Sequence, residues 1–332
     1  MTHMRAALVF NPIAGIAGRG RAAQVVQWAQ KALQALGWSV VLKETRRHGE
    51  MHGVAASVLS EDVDAVFAAG GDGTVGAVSA ALAGSDVVMG VLPTGTANIW
   101  AVELGLIEPG AGLKSAADVQ NCLEAQLNGV VRSVDIGRCG DRSFLLWAGV
   151  GLDGHVISKI EPRPELSKRL GEAYFYLAGL LAAADFRGGP MTVRADDRTI
   201  SGTKLLAVIT NIRRYAGVQS ILDPDTRVDD GQLDVWTMDG ESYFEALGQL
   251  VRYKRGQHLG HPTVQKLSGR RIEVETELPM RLQFDGEAAE AVKRAEFNVW
   301  PAALRVFAPQ KPSPIFSNRP GDADALRADF RG

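Results

Sequence analysis

Residues 70–74, Gly70-Gly71-Asp72-Gly73-Thr74, put three glycines, a carboxylate and a hydroxyl directly after an apolar run, Val63 to Ala68. Glycine lets a backbone approach a ligand closely, successive N–H groups make a nest for an anion, and Thr74 is placed to open a helix. Asp72 adds a group able to hold Mg²⁺ or to take a proton. A second polar loop, Leu92-Pro93-Thr94-Gly95-Thr96-Ala97-Asn98, follows the apolar run Val87 to Val91. Two strand-ending loops in consecutive β-α units line one crevice at the edge of a parallel sheet, and that reads as a nucleotide site. One Gly-Gly-Asp-Gly turn alone is often only a tight loop, so the pair carries the reading. Neither loop has the G-x-x-x-x-G-K or the G-x-G-x-x-G spacing.

Asp285 and Glu287 flank Gly286. A tight turn there sets both carboxylates on one edge, where each raises the pKa of the other and suits one of them to act as a base. The plainer alternative is a hairpin turn with Glu287 solvated. Asp153, after Gly149-Val150-Gly151-Leu152, reads as the cap of a following helix ahead of a cleft carboxylate. Asp230, in Val228-Asp229-Asp230-Gly231, reads as a turn first and a metal ligand second. His48, His52, His155 and His261 show no metal spacing and are assigned to loops and surface; Arg19 and Arg21 either reach phosphates or are solvated.

The elements that must position these groups follow from periodicity. Ala6–Phe10, Trp38–Leu42, Val63–Ala68 and Val87–Val91 read as strands. They alternate with helices over Ala22–Leu36 (stopped by Gly37), Gly49–Leu59, Val75–Leu82, about Ala97–Leu104, and Ser115–Leu127. This is an α/β domain with a parallel sheet. Beyond it short strands dominate: Val131–Ile136, Phe144–Ala148, Met191–Ala195, Leu205–Thr210, Leu233–Thr237, Arg271–Glu275 and Arg281–Phe284. Turn signals at Asp196-Asp197, Asp230-Gly231 and Asp285-Gly286 make this region antiparallel β. One helix interrupts it at about Ser167–Ala184; its apolar stripe beside basic residues is read as core packing ahead of a membrane-surface contact. The domains expected are 1–130, 131–308, and an extended or disordered proline-bearing tail, 309–332.

The chain has 332 residues, 46% hydrophobic and 22% charged, with a net charge of −2. Those values fit two domains of a globular enzyme and argue against nucleic acid as a partner. Cys122 and Cys139 have no metal spacing and suit a reducing compartment. Met1–Arg5 runs straight into a strand, unlike a signal peptide, and the run Ala173–Ala184 is too short to span a bilayer. The expected compartment is the cytoplasm, with peripheral contact at the inner membrane surface.

Taken in order, Asn11-Pro12 with Gly15, the Gly70–Thr74 loop, Pro93-x-Gly95-Thr96-x-Asn98, Gly149-x-Gly151 with Asp153, Asn211, Asp230-Gly231 and Asp285-Gly286-Glu287 resemble the diacylglycerol kinase catalytic-domain family over roughly residues 5–308. The resemblance implies an N-terminal three-layer α/β nucleotide domain and a C-terminal antiparallel β-sandwich domain, with ATP and a lipid alcohol meeting between them. It implies ATP on Asn11, Thr45, Gly70, Gly71, Asp72, Gly73, Thr74, Gly95, Thr96 and Asn98, and Mg²⁺ on Asp72. Glu287 is then the general base, with Asp285 beside it. A structural divalent metal falls to backbone oxygens of Arg227 and Gln232 and the carboxylate of Asp230. The reaction implied is transfer of the ATP γ-phosphate to a lipid hydroxyl, most simply that of diacylglycerol; a homodimer is compatible with this. The chain departs from many members at Gly76 and Ala77, where they carry Asn and Glu, and at Ile99, where they carry Asp. Two alternatives stand beside the lipid kinase: an NAD kinase, which shares the Gly-Gly-Asp-Gly loop, and a non-catalytic nucleotide- or lipid-binding relative.

Overall fold

In the computed structural model, residues 4–12, 21–45, 50–160, 178–311 and 313–317 are described. They form two compact units, one of residues 1–134 with 302–332 and one of residues 135–301.

In the first unit the parallel strands β1 (Arg5–Phe10), β2 (Ser39–Glu44), β3 (Ala65–Gly70) and β4 (Val88–Pro93) lie in the order β2-β1-β3-β4. β1, β3 and β4 are apolar and almost wholly buried, as strands covered on both faces must be. Alternate residues divide between the faces. Ala6, Leu8, Phe10, Ala65, Phe67 and Ala69 share a core with α1 (Arg21–Ala35) and α5 (Ala116–Leu127). The opposite face carries α2 (Met51–Ala56) and α3 (Asp72–Leu82). The three-layer expectation holds.

Helix ends follow local chemistry. Gly37, at φ +83°, closes α1: its N–H reaches Gln34 O and that of Trp38 reaches Leu33 O. Ser115 and Asp118 form a reciprocal capping box on α5. At the far side of β4 the last strand returns only to Arg305 and Val306, opposite Val88 and Met89. Beyond them the buried Gln126 side chain stands in for a strand, giving and taking hydrogen bonds at 2.9 and 2.8 Å with Val91 O and N. Of the segment after Pro309, residues 313–317 pack onto this unit. Ile315 and Phe316 are buried, and Arg132 lies over the Phe316 ring. An Ile-Phe pair gives that stretch apolar area to bury.

The second unit is mostly antiparallel β. β7 (Trp147–Gly151) lies between β9 (Arg198–Thr210) and β12 (Arg271–Phe284). β9 continues to β10 (Leu233–Asp239) and β11 (Val264–Gly269). β8 (Gly189–Ala195) pairs with β9 and β12, and β13 (Glu287–Ala308) pairs with β12. Three departures from expectation have physical causes. Phe144–Ala148 is split into β6 (Arg142–Phe144), paired with β5 (Val130–Cys139), and β7, because the N–H groups of residues 145–147 turn to a side chain instead of a strand. Arg271–Glu275 and Arg281–Phe284 are one strand with an irregular middle. The helix Tyr243–Lys254 was not anticipated, although Ser242 and Glu245 spell its capping box.

The helix expected at about Ser167–Ala184 lies largely outside the described residues, as do Gly15, Arg19 and His48. Among the described residues no helix is long and apolar enough to cross a membrane.

Candidate functional site

In the first unit the register fixes which loops share an edge. Phe10 pairs with Glu44 and with Ala69, and Gly70 with Pro93. Asn11, Thr45, Gly71 and Thr94 therefore leave the carboxyl ends of four adjacent strands side by side. The crossover from β2 to β3 over β1 puts the topological switch point between β1 and β3, where open α/β sheets bind ligands.

The two polar loops are stitched together. Thr94 N–H donates to Gly70 O at 3.0 Å, and Asp72 Oδ1 accepts from Ile99 N–H at 2.7 Å, at the start of α4 (Ile99–Glu103). Asn98, in the left-handed region at φ +55°, folds its amide back: Gly95 N–H donates to its Oδ1 at 2.8 Å and its Nδ2 donates to Gly95 O at 3.0 Å. The glycines of these loops serve closeness and not handedness, for none has a positive φ. A β-carbon on Gly70 would sit 2.2 Å from Thr74 Oγ1, and one on Gly95 2.4 Å from Gly71 Cα. Gly73 differs, with nothing within 4 Å of where its β-carbon would be. Thr96 is half-buried in the second loop, and Ile99 is buried.

Burial pushes the Asp72 carboxyl up to about 6, against the backbone N–H groups that pull it down. At the same edge the Thr45 and Thr94 hydroxyls are buried and have no hydrogen-bond partner among the described residues. Buried orphan hydroxyls are costly, and a polar ligand removes the cost.

In the second unit Asp285-Gly286 is the two-residue loop between β12 and β13, both residues at positive φ (+47° and +87°). The Asp285 carboxylate is half-buried and tied to backbone. It accepts from the N–H groups of Leu145 (2.8 Å), Leu146 (2.9 Å) and Trp147 (3.0 Å). That stretch is propped from behind by Asn211, whose N–H reaches Leu146 O and whose Nδ2 reaches Leu145 O and Asp135 O. Glu287 opens β13 and is exposed.

Asp153 does not cap its helix, α6 (Leu152–Ile160). Its carboxyl, raised to about 6 by burial, accepts from the side chains of Gln283, Tyr215 and Trp147. Gly149 leaves the room: a β-carbon there would lie 2.0 Å from Asp153 Oδ2. Gln283, Tyr215, Trp147 and Asp135 escaped sequence reasoning. Gln283, set between Leu282 and Phe284, was the one legible hint.

The turn expected to hold a metal is organised by Asp135, which accepts from Gly231 N–H at 2.6 Å. Asp230 accepts from Gln232 N–H at 3.0 Å, and its carboxyl is pushed up to about 6 by burial and then by Asp234, Asp135 and Asp229. The Arg227 guanidinium donates to Pro224 O and Thr226 O. Among the described residues no three His, Cys, Asp or Glu converge as a metal site. His52 and His155 stand on α2 and α6 and not in loops, His155 against Asp185.

Residues 5–139 match the family model "Diacylglycerol kinase catalytic domain", and residues 148–308 match "YegS C-terminal NAD kinase beta sandwich-like domain". The chain is 30% identical over 311 residues to the "Probable lipid kinase YegS-like" of Pseudomonas aeruginosa, covering 91% of this chain and 95% of that one. It is 28% identical over 286 residues to the diacylglycerol kinase of Bacillus subtilis, covering 85% and 89%. The fold matches a diacylglycerol kinase crystal structure from Bacillus anthracis at TM-score 0.64, with 18% identity over 93% of this chain and 98% of the other.

Proposed function

We propose that this chain, which belongs to the diacylglycerol kinase catalytic-domain family and carries its YegS-type C-terminal domain, is an ATP-dependent kinase of a lipid alcohol, in the simplest case diacylglycerol. The observation that supports it most is the stitched pair of loops at the carboxyl edge of the first unit's parallel sheet, with Asp72 shared between them.

Phosphoryl transfer needs the phosphates held, their charge neutralised, and a base near the acceptor hydroxyl. The N–H groups of Gly71 and Gly73 at the start of α3 would supply donors for phosphate oxygens, those of Thr74 and Val75 being already bonded to Gly71 O. The Thr45 and Thr94 hydroxyls, unpartnered among the described residues, fit a polar ligand at the same edge. Asp72 suits Mg²⁺, which commonly takes one or two carboxylates together with substrate phosphates, and a cation offsets the burial that raises this carboxyl. Mg²⁺ would supply charge neutralisation on the phosphates. Glu287 is the base in this reading, because Asp285 next to it is committed to three backbone donors and Glu287 is exposed. Asp230 with the carbonyls of Arg227 and Gln232 is the proposed structural cation turn.

The test is to incubate the purified protein with γ-labelled ATP, Mg²⁺ and a panel of lipid alcohols, with NAD in a parallel reaction, and to separate products by thin-layer chromatography. A labelled phosphatidic acid band from dioleoylglycerol is expected. Label on NAD alone, or tight ATP binding with no labelled lipid anywhere in the panel, overturns the reading.

A further inference from the structure

The turn that carries Glu287 is closed into a ring of hydrogen bonds. Trp147 N–H donates to Asp285 Oδ1 at 3.0 Å, and Asp285 N–H returns to Trp147 O at 2.9 Å. Gly286 N–H donates to Gln283 Oε1 at 2.8 Å. Gln283 Nε2 donates to Asp153 Oδ2 at 2.7 Å, and the Trp147 side chain donates to the same carboxylate. The chemistry at each end leaves Gln283 one orientation. A backbone N–H only donates, so Oε1 must face Gly286; Asp153 already accepts from Trp147 and Tyr215, so Nε2 must face it. Gln283 is fully buried, and it pairs across the sheet with Gly149, the residue whose missing side chain admits the Asp153 carboxylate.

The geometry points to Gln283, oriented by Asp153, as the positioning residue for Glu287: it locks the Gly286 peptide and thereby fixes where β13 begins. This rests on the reading of Glu287 as the base. Neither side chain touches substrate in this role. The ladder pair Phe284–Glu287 closes the hairpin and Asp285 is tied to residues 145–147, while Gln283 Oε1 takes the Gly286 N–H at the centre of the turn. Letting the Gly286 peptide rotate would move the Glu287 carboxylate, and a displacement near an ångström costs a reaction on the order of a hundredfold.

The ring predicts its own rescue. Gln283→Glu sets two carboxylates against each other. Adding Asp153→Asn restores every bond, with the polarity of the 283–153 bond alone reversed: the Asn Nδ2 donates to the new carboxylate, which still accepts from Gly286 N–H, and the Asn Oδ1 accepts from Trp147 and Tyr215. In labelled-ATP assays of the full chain, the single variant should lose about tenfold to a hundredfold in kcat with the KM for ATP unchanged, and the double variant should regain most of it. Amide exchange at Gly286 should speed up in the single variant and slow again in the double. The idea is overturned by a single variant that keeps wild-type kcat, or by a double variant that melts normally yet is no better than the single. If the wild-type chain phosphorylates no lipid, the reading of Glu287 fails separately. The lock itself is then decided by Gly286 exchange: restored protection in the double variant upholds it, and unchanged protection in the single variant removes it.

Discussion

Gly71 and Gly95 meet backbone to backbone, so closely that a β-carbon on Gly95 would lie 2.4 Å from Gly71 Cα. This contact sets the spacing of the two polar loops, and it separates two kinds of glycine in one motif. Gly95→Ala should lower the melting temperature and weaken ATP binding together, because Gly71 is backbone and cannot move aside cheaply. Gly73→Ala should melt within a degree or two of wild type, since its β-carbon enters open space. If Gly73 faces the phosphates, ATP affinity by calorimetry should still fall about tenfold, about 1.4 kcal/mol.

Asp72 bonds the first N–H groups of α4 as well as standing in the glycine loop. Asp72→Ala should therefore cost about 1 kcal/mol of stability, as loss of a cap does, besides abolishing transfer. Asp72→Asn keeps an oxygen for Ile99 N–H and removes the charge. It should melt near wild type and retain less than about a hundredth of the turnover at saturating Mg²⁺. Equal turnover of the Asn variant and wild type would place the metal elsewhere.

Asp285 and Glu287 should separate cleanly. Asp285→Ala strands three backbone donors, two of them on the buried Leu145 and Leu146, and should cost about 3 kcal/mol in urea unfolding. Glu287→Gln should leave unfolding and ATP affinity unmoved while kcat falls on the order of 10²- to 10⁴-fold. Loss of activity only in step with ATP affinity would remove Glu287 from the mechanism.

Asp153 should write itself into the pH dependence of stability. Its folded carboxyl is raised by burial to about 6 from the ordinary 3.8, so between those values the folded state binds the extra proton. Stability from this group is present below about pH 4, falls as pH rises to about 6, and is level above that. Against Asp153→Asn, wild type should lose about 1–3 kcal/mol across that window in urea titrations. A difference that does not change with pH would mean the carboxyl is not desolvated.

The residues alone carry whatever local chemistry controls. Runs such as Ala6–Phe10 and Val88–Pro93 are apolar at every position because both faces are buried, and that needs no partner to be known. The glycine loops at their ends and the Asp285-Gly286 hairpin are equally local, since a backbone conformation is written in the residues that adopt it. Tertiary structure decided the partners. Asp285 meets Leu146 across 139 positions and Asp153 meets Gln283 across 130, contacts set by strand register, which no local pattern encodes. For the same reason Asp153 looked like a helix cap and proved to be the anchor of a turn: its neighbours in sequence offered N–H groups, while its neighbours in space offered Gln283, Tyr215 and Trp147.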